Sequence, residues 1–183
     1  MEASLCCDHV GVLVRDLEAA LESLGPLAVQ AHPVQEFPGE GTREVYVGSG
    51  SARLLLLQPL GAGPYRRALN ARGPGVHHLA LSGPDPRALL RGLPGWLLHP
   101  YSLESGPDTL WACRPGIPLL LELAAGAATG PALVTRLEVP CAPELAPLLA
   151  RLQGPRSPVA LGARSRLVLA GRGWDPVELT LEG

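Results

Sequence analysis

The sequence contains no lysine: its 15 basic side chains are all arginines, set against 17 aspartates and glutamates. Without a lysine amine the chain cannot form a Schiff base with a carbonyl substrate or with pyridoxal phosphate. The formal net charge of −2, with no basic stripe or tail, gives no attraction to nucleic acid or to an anionic membrane surface. We therefore expect neither nucleic acid nor a membrane as a partner.

Cysteine and long apolar runs are scarce as well. The four cysteines show no C-x-x-C spacing, which favours small buried thiols in a reducing compartment over a disulfide framework or a zinc site. The first ten residues, MEASLCCDHV, lack the charged start and apolar core of a signal peptide. No apolar run is long enough to cross a bilayer. These patterns predict a cytoplasmic protein whose 183 residues suit one domain or two small ones.

One pattern occurs twice along the chain. Residues 8–25 (DHVGVLVRDLEAALESLG) and 77–93 (HHLALSGPDPRALLRGL) each give a histidine, an apolar strand, an acidic turn and a short amphipathic helix. Residues 43–59 (REVYVGSGSARLLLLQP) and 108–124 (DTLWACRPGIPLLLELA) continue the two copies with further apolar strands. With Gly and Pro marking the turns, each copy predicts a strand, a helix and three more strands.

The two copies predict an α+β fold of tandem βαβββ modules at residues 4–60 and 74–126, within a domain covering residues 1–126. Asp16 is placed to cap the first helix, and Pro86 stands at the start of the second, where its missing N–H costs nothing. Residues 61–75 predict a short helix and a linker between the modules.

The pattern begins a third time in an additional unit at residues 131–183. A strand at 133–140, a helix at 142–152 and three further apolar segments give the same βαβββ order. Arg136 stands where the earlier copies have histidine. This third copy is therefore interpreted as degenerate and structural.

The repeated histidines are candidate metal ligands. Alternate residues of a strand share a face, so His9 lies with Gly11, and His78 lies with Ala80. If the two modules pack about a pseudo-twofold axis, equivalent strands run side by side and the two imidazoles converge. The competing interpretation makes each of them an ordinary, hydrogen-bonded strand histidine.

Glu122 completes the candidate set. It lies in the apolar strand IPLLLELA, where an ionised carboxylate is costly without a partner. Two histidines and one carboxylate, with positions left open, form a ligand set for a divalent metal that handles an oxygen substrate. Two alternatives stay open: an ion pair of Glu122 with Arg53, or a place for Glu122 at the exposed end of the strand.

The segments DHVGVLVRDLEAAL, GPGVHHLAL and PLLLELA resemble the vicinal oxygen chelate superfamily of glyoxalases, bleomycin-resistance proteins and extradiol dioxygenases, and among these most resemble the methylmalonyl-CoA epimerases. The resemblance covers roughly residues 4–126. It implies a cup-shaped mixed sheet with His9, His78 and Glu122 as ligands of a divalent Co, Zn, Ni, Mn or Fe ion. His77 would point to the other face, as a packing residue or a neighbour of the ligands.

The resemblance also implies an activity. Glu44, in GTREVYV, matches a glutamate that acts as a second acid–base group, so Glu44 and Glu122 would serve opposite faces of one substrate carbon. The implied function is a metal-dependent isomerase or lyase that removes a proton alpha to a ketone or thioester. The substrate would be a small molecule, with a branched acyl-CoA as the leading case. A homodimer is expected, because an open cup leaves a strand edge or an apolar face uncovered.

Two departures from the family pattern favour other functions. Leu55 stands where the family has a fourth ligand, and strand alternation places Gln58 on the opposite face. With one Phe and three Tyr in the chain, an aromatic-lined acyl pocket is not expected. The alternative is a metal-free binding protein of the bleomycin-resistance type. An iron(II) dioxygenase is less favoured, because no separate acid–base histidine is evident and His32 and His99 fit surface positions.

Overall fold

The computed structural model describes residues 5–103, 109–139, 159–161, 166–169 and 177–180. Its strands are β1 (Cys6–Leu13), β2 (Gln35–Phe37), β3 (Thr42–Val47), β4 (Arg53–Pro59), β5 (Gly75–Gly83), β6 (Leu97–Leu98), β7 (Thr109–Arg114), β8 (Ile117–Ala125), β9 (Val134–Val139), β10 (Val159–Leu161), β11 (Arg166–Leu169) and β12 (Val177–Thr180). Its α-helices are α1 (Leu17–Ser23), α2 (Pro64–Arg72) and α3 (Pro86–Arg91), and two 3₁₀ helices span Gly25–Gln30 and Pro100–Leu103.

The first eight strands form one mixed sheet in the order β2-β3-β4-β1-β5-β8-β7-β6. In each half the first strand pairs in parallel with the last, β1 with β4 and β5 with β8, and the remaining neighbours are antiparallel. Both halves therefore have the same βαβββ connectivity, as the sequence repeat predicts. The halves meet at an antiparallel pairing of β1 with β5.

Local signals predicted from the sequence operate at both module helices. The Asp16 carboxylate accepts a hydrogen bond from the backbone N–H of Ala19 at 2.8 Å, which caps α1. Asp85 caps α3 in the same way, and Pro86 occupies the first helical position. Leu17 and Leu89 bury the apolar sides of these helices against the main core of the sheet. That face of the sheet is filled by the main core, and we call the opposite face of the curved sheet its concave face.

The linker helix α2 covers part of the concave face. Leu69 of α2 joins Leu13, Leu55 and Leu57 in a second, smaller apolar cluster. Strand β1 is consequently buried on both faces over most of its length. The polar side chains of the concave face thus lie beside a patch from which water is excluded.

The C-terminal strands form a separate four-stranded sheet in the order β10-β9-β11-β12. Its strands match the apolar segments predicted for the third unit, whereas the helix predicted at 142–152 lies outside the described residues. The pairing differs from that of the modules, because β9 is parallel to β10, the next strand in sequence. The order of helices and strands along the chain therefore does not determine which strands pair, because the same order is compatible with the pairing in the modules and with the pairing in the C-terminal sheet.

A short junction joins the two sheets. Ser51 and Ala132 form an isolated β-bridge, and the backbone N–H of Val134 donates to the carbonyl of Ala52 at 2.9 Å. Leu133 and Leu169, both almost fully buried, belong to the main core. The C-terminal strands therefore share apolar packing with the modules. None of the helices in the described ranges is long and apolar enough to cross a membrane.

Because Leu133 is buried at this junction, Leu133→Ala should lower the free energy of unfolding of the whole chain by about 2–5 kcal/mol. Chemical denaturation of the full chain measures this change. Val29→Ala, at a side chain that is 77% exposed, is the control and should change the free energy by less than about 0.5 kcal/mol. Equal stability of Leu133→Ala and the parent protein would contradict the shared core.

Candidate metal centre

His9, His78 and Glu122 converge on the concave face of the sheet. The pairing of β1 with β5 and of β5 with β8 places His9 beside Ala80 and Ala80 beside Glu122. Nε2 of His9 lies 3.1 Å from Nε2 of His78 and 3.4 Å from Oε2 of Glu122. Nε2 of His78 lies 3.7 Å from the same carboxylate oxygen. Residues 113 positions apart in sequence thus aim their ligand atoms at a common point.

These three spacings fit a metal ion. Metal–nitrogen and metal–oxygen bonds of about 2.0–2.2 Å place neighbouring ligand atoms about 2.8–3.1 Å apart at right angles, about 3.3–3.6 Å apart at tetrahedral angles and about 3.5–3.8 Å apart at 120°. The three atoms all lie within 4.8 Å of one another and could hold a metal ion. Imidazole nitrogen and carboxylate oxygen are donors that Zn, Co, Ni, Mn and Fe accept.

The hydrogen-bond partner of His9 fixes the direction of its ring. Nδ1 of His9 donates to the carboxylate of Asp8 at 2.8 Å, which leaves the lone pair of Nε2 facing the other ligands. The same carboxylate accepts a hydrogen bond from the Arg53 guanidinium, and Arg53 in turn lies 4.3 Å above the Tyr46 ring. A carboxylate behind a ligand histidine is the arrangement that orients imidazoles in metal sites.

The electrostatics of the two imidazoles differ. Burial disfavours the charged form of His9, but hydrogen bonds to Asp8 and Glu122 outweigh burial and raise the pKa of His9 above its ordinary value. Burial, together with His9 and His77 nearby, lowers the pKa of His78 well below its ordinary value. The carboxylates of Asp8 and Glu122 therefore favour a positive charge at His9, beside the neutral imidazole of His78. A metal cation can supply this positive charge in place of a proton on His9.

Two β-bulges place the partners of the ligand histidines. The register of β1 against β5 shifts between Cys7 and His9, which makes Asp8 an extra residue on β1. It shifts again where Gly11 faces His78 and Val12 faces Val76, which makes His77 an extra residue on β5. Bulges turn successive side chains to one face. Each module therefore brings the residue before its candidate ligand histidine onto the same side as that histidine.

The predicted orientation of His77 is consequently wrong. His77 lies on the concave side, where its Nδ1 is 3.0 Å from Nδ1 of His78 and its ring packs against Tyr65. Strict strand alternation predicts the opposite face, and the bulge removes that alternation. If Nε2 of His78 binds a cation, its Nδ1 carries the ring proton and donates a hydrogen bond to Nδ1 of His77.

Gly11 belongs to the candidate site, although the sequence alone assigned it no role. A Cβ at Gly11 would lie 2.2 Å from Cε1 of His78, so the His78 ring occupies the volume that any other side chain would fill. Its sequence signal is a glycine two residues after His9, on the same face of the strand. The missing side chain is what allows two imidazoles from adjacent strands to meet.

Leu55, at the position where the family pattern has a fourth metal ligand, lies in an apolar environment. Leu55 is almost completely buried and belongs to the cluster beneath α2. Gln58 faces the other side of the sheet, where its amide oxygen accepts a hydrogen bond from the backbone N–H of Leu17. Neither side chain supplies a fourth ligand in this arrangement.

Glu44 lies on the concave face but does not contact the three-residue cluster. It lines a recess of about 140 Å³ with His32 and Arg53, and the Tyr46 ring separates this recess from His9. Burial raises the pKa of Glu44, although the hydroxyl of Thr42 donates to its carboxylate at 2.6 Å. The predicted alternative of an ion pair between Arg53 and Glu122 is not formed, because Arg53 binds Asp8.

Two larger cavities flank the cluster. One, of about 360 Å³, is lined by Asp8, His9, Glu122 and the small residues that follow β8. The other, of about 500 Å³, is lined by Tyr65, Tyr101 and Trp111 among others. The chain has few aromatic residues, but the fold gathers three that are far apart in sequence around one cavity. Whether this cavity takes an acyl group stays a prediction.

Comparisons with known proteins identify the fold. Residues 8–95 match the family model of the glyoxalase/bleomycin resistance protein/dioxygenase superfamily. The predicted resemblance is confirmed. The curved mixed sheet of paired βαβββ modules is accordingly a glyoxalase-like fold. No curated protein matches the chain at a significant level of sequence similarity.

Solved structures share the fold. Methylmalonyl-CoA epimerase from Mycobacterium tuberculosis is 26% identical, with a TM-score of 0.55, over 69% of this chain and 92% of that protein. A hypothetical protein from Bacillus halodurans C-125 is 21% identical, with a TM-score of 0.56, over 69% of this chain and 98% of that protein. A variant of the Streptomyces coelicolor methylmalonyl-CoA epimerase, in complex with 2-nitronate-propionyl-CoA, is 22% identical, with a TM-score of 0.54, over 67% of this chain and 98% of that protein.

Because the His78 ring fills the space above Gly11, Gly11→Ala should displace that ring. The overpacked variant should lose about 1–3 kcal/mol in the free energy of unfolding, and its affinity for Co²⁺ should fall. Denaturation and Co²⁺ titration followed by visible absorption measure the two effects. Gly61→Ala is the matched control, because nothing lies within 4 Å of its added Cβ. Unchanged Co²⁺ affinity in Gly11→Ala would contradict a role for His78 as a ligand.

Proposed function

We propose that this protein is a metal-dependent isomerase of the methylmalonyl-CoA epimerase type, which removes and returns a proton alpha to a thioester or ketone. The observation that carries the proposal is the convergence of two imidazoles and one carboxylate, at 3.1, 3.4 and 3.7 Å from one another, at the floor of the cup. Asp8 supports it by orienting His9. The acyl-CoA ligands in the epimerase complexes guide the choice of test substrates.

A divalent cation held by His9, His78 and Glu122 would polarise the carbonyl oxygen of a substrate and stabilise the negative charge left by proton removal. The side chains of the protein would bind the cation and exclude water from the reacting atoms. His9 and His78 would bind the cation through their Nε2 atoms, and the buried apolar cluster beneath α2, which includes Leu55, limits the access of water beside them. A dry environment strengthens every charge interaction at the reacting atoms.

Glu44 is the proposed proton carrier on one face of the reacting carbon, and Glu122 carries the proton on the other. The raised pKa of Glu44 brings its proton affinity closer to neutral pH, where a general acid–base group is most effective. Tyr46 lies between Glu44 and His9. A substrate that reaches both groups has to pass along the Tyr46 ring, which would keep its alpha carbon between the two carboxylates.

A second candidate function is favoured by one observation. Leu55 fills the position of the fourth family ligand and is buried with Leu57 and Leu69. A protein that only sequesters a small molecule in its cup, as a bleomycin-resistance protein does, needs no ligand there. Proton exchange distinguishes the two functions, since a binding protein catalyses none.

Exchange of the alpha proton in heavy water tests the proposal. Co²⁺-loaded protein should incorporate deuterium into a panel of 2-substituted acyl-CoA thioesters that includes methylmalonyl-CoA, as followed by mass spectrometry. Glu44→Gln should lower the exchange rate by about 10²–10⁴-fold, and His78→Ala should lose the metal-dependent part. Absence of exchange with Co, Zn, Ni, Mn and Fe would favour the binding protein.

Glu22→Gln is the matched control for this experiment, because Glu22 is exposed on α1, outside the cup. It should exchange deuterium at the parent rate. Glu44→Gln should remain folded at pH 7, since burial destabilises the ionised carboxylate that this change removes. A thermal melt of each variant therefore separates a lost proton carrier from a lost fold.

A further inference from the structure

We propose that the cavity of about 500 Å³ binds a flat, uncharged aromatic group of the substrate. This inference names the substrate class of the proposed isomerase, and it rests on the proposed function for the position of the reacting carbon. The binding of the aromatic group itself does not depend on that function.

The lining of the cavity concentrates a scarce residue type. The chain has one Phe, three Tyr and three Trp, and the cavity takes Tyr65, Tyr101 and Trp111 from three separate elements. The Tyr101 and Trp111 rings are 6.1 Å apart at 71°, and Tyr65 faces His77 at 5.0 Å. The rings of Tyr65, Tyr101 and Trp111 border the cavity, where an aromatic guest can make offset or edge contacts with them.

The charges around the cavity favour a neutral guest. Among the described residues that line it, Glu40 and Arg72 are opposite in sign, and two imidazoles border it as well. Arg72 is held by the carbonyl of Pro118. The remaining wall includes Ile117 and Leu120. A buried carboxylate or ammonium group of the guest would need a dedicated counter-charge, whereas a neutral ring needs only apolar contact.

Trp111 connects the cavity to the metal ligands. Its ring packs against His78 with centroids 5.0 Å apart, and β7 pairs with β8 so that Trp111 faces Glu122. A substrate with its thioester or ketone at the candidate ligands would therefore extend past the Trp111 side chain into the cavity. A volume of about 500 Å³ lies within the range of small-molecule sites, roughly 300–1,000 Å³, and exceeds what a methyl branch requires.

A pair of probes with the same carbon skeleton tests the inference: the phenylacetyl and cyclohexylacetyl thioesters of N-acetylcysteamine. Binding is measured by calorimetry on protein stripped of metal with a chelator, so that no turnover occurs. The phenyl probe should bind at least about 3-fold more tightly than the more apolar cyclohexyl probe. Tyr101→Leu and Tyr65→Leu should each weaken binding of the phenyl probe by about 3- to 10-fold.

Val29→Ala is the control, because Val29 is 77% exposed and does not line this cavity. It should leave the affinity of both probes unchanged. Equal or tighter binding of the cyclohexyl probe, or equal affinities in Tyr101→Leu and the parent protein, would overturn the inference. A phenyl preference without alpha-proton exchange would instead remove the proposed function and leave the aromatic site in place.

Discussion

The candidate site depends on the antiparallel contact of two equivalent strands, β1 and β5. Two copies of one module meet there, and each contributes a histidine from its first strand. Gly11 leaves the room in which the His78 ring lies against β1. One β-bulge in each strand then turns the preceding residue, Asp8 or His77, toward the Nδ1 atom of the candidate ligand histidine. Pairing, glycine and bulges together bring the two Nε2 atoms to 3.1 Å.

This arrangement places polar groups where the sheet is otherwise apolar. Two almost fully buried imidazoles would be costly unless each ring nitrogen had a partner. Asp8 and His77 supply partners on one side of the rings, and Glu122 supplies a charge on the other. Arg53 compensates the charge of Asp8 in turn. The hydrogen bond from His9 and the nearby Arg53 lower the pKa of Asp8 against the opposing effect of burial, so the carboxylate stays ionised behind the ligand.

Much of the fold follows from the sequence, because it depends on local signals and on repetition. Asp16, Pro86 and the alternation of apolar residues predict the elements, and the repeat predicts that β1 and β5 are neighbours. The same repeat identifies His9 and His78, while the cost of a carboxylate in an apolar strand identifies Glu122. Each of these inferences uses either the sequence of a single module or the similarity between the two modules.

Features that depend on pairing across the chain could not be predicted. A bulge is a mismatch between two strands, so neither strand alone reveals that His77 faces the cup. Gly11 matters only because His78 lies above it. The aromatic cavity joins Tyr65, Tyr101 and Trp111, whose spacing in sequence carries no pattern, and the order of the C-terminal strands depends on which edges meet.

Anomalous diffraction at the cobalt edge from crystals of the Co²⁺-loaded protein tests the central claim most directly. The account predicts one strong peak at about 2.0–2.2 Å from Nε2 of His9, Nε2 of His78 and a carboxylate oxygen of Glu122. A peak held by other residues, or none at this cluster in protein that binds cobalt stoichiometrically in solution, would contradict it.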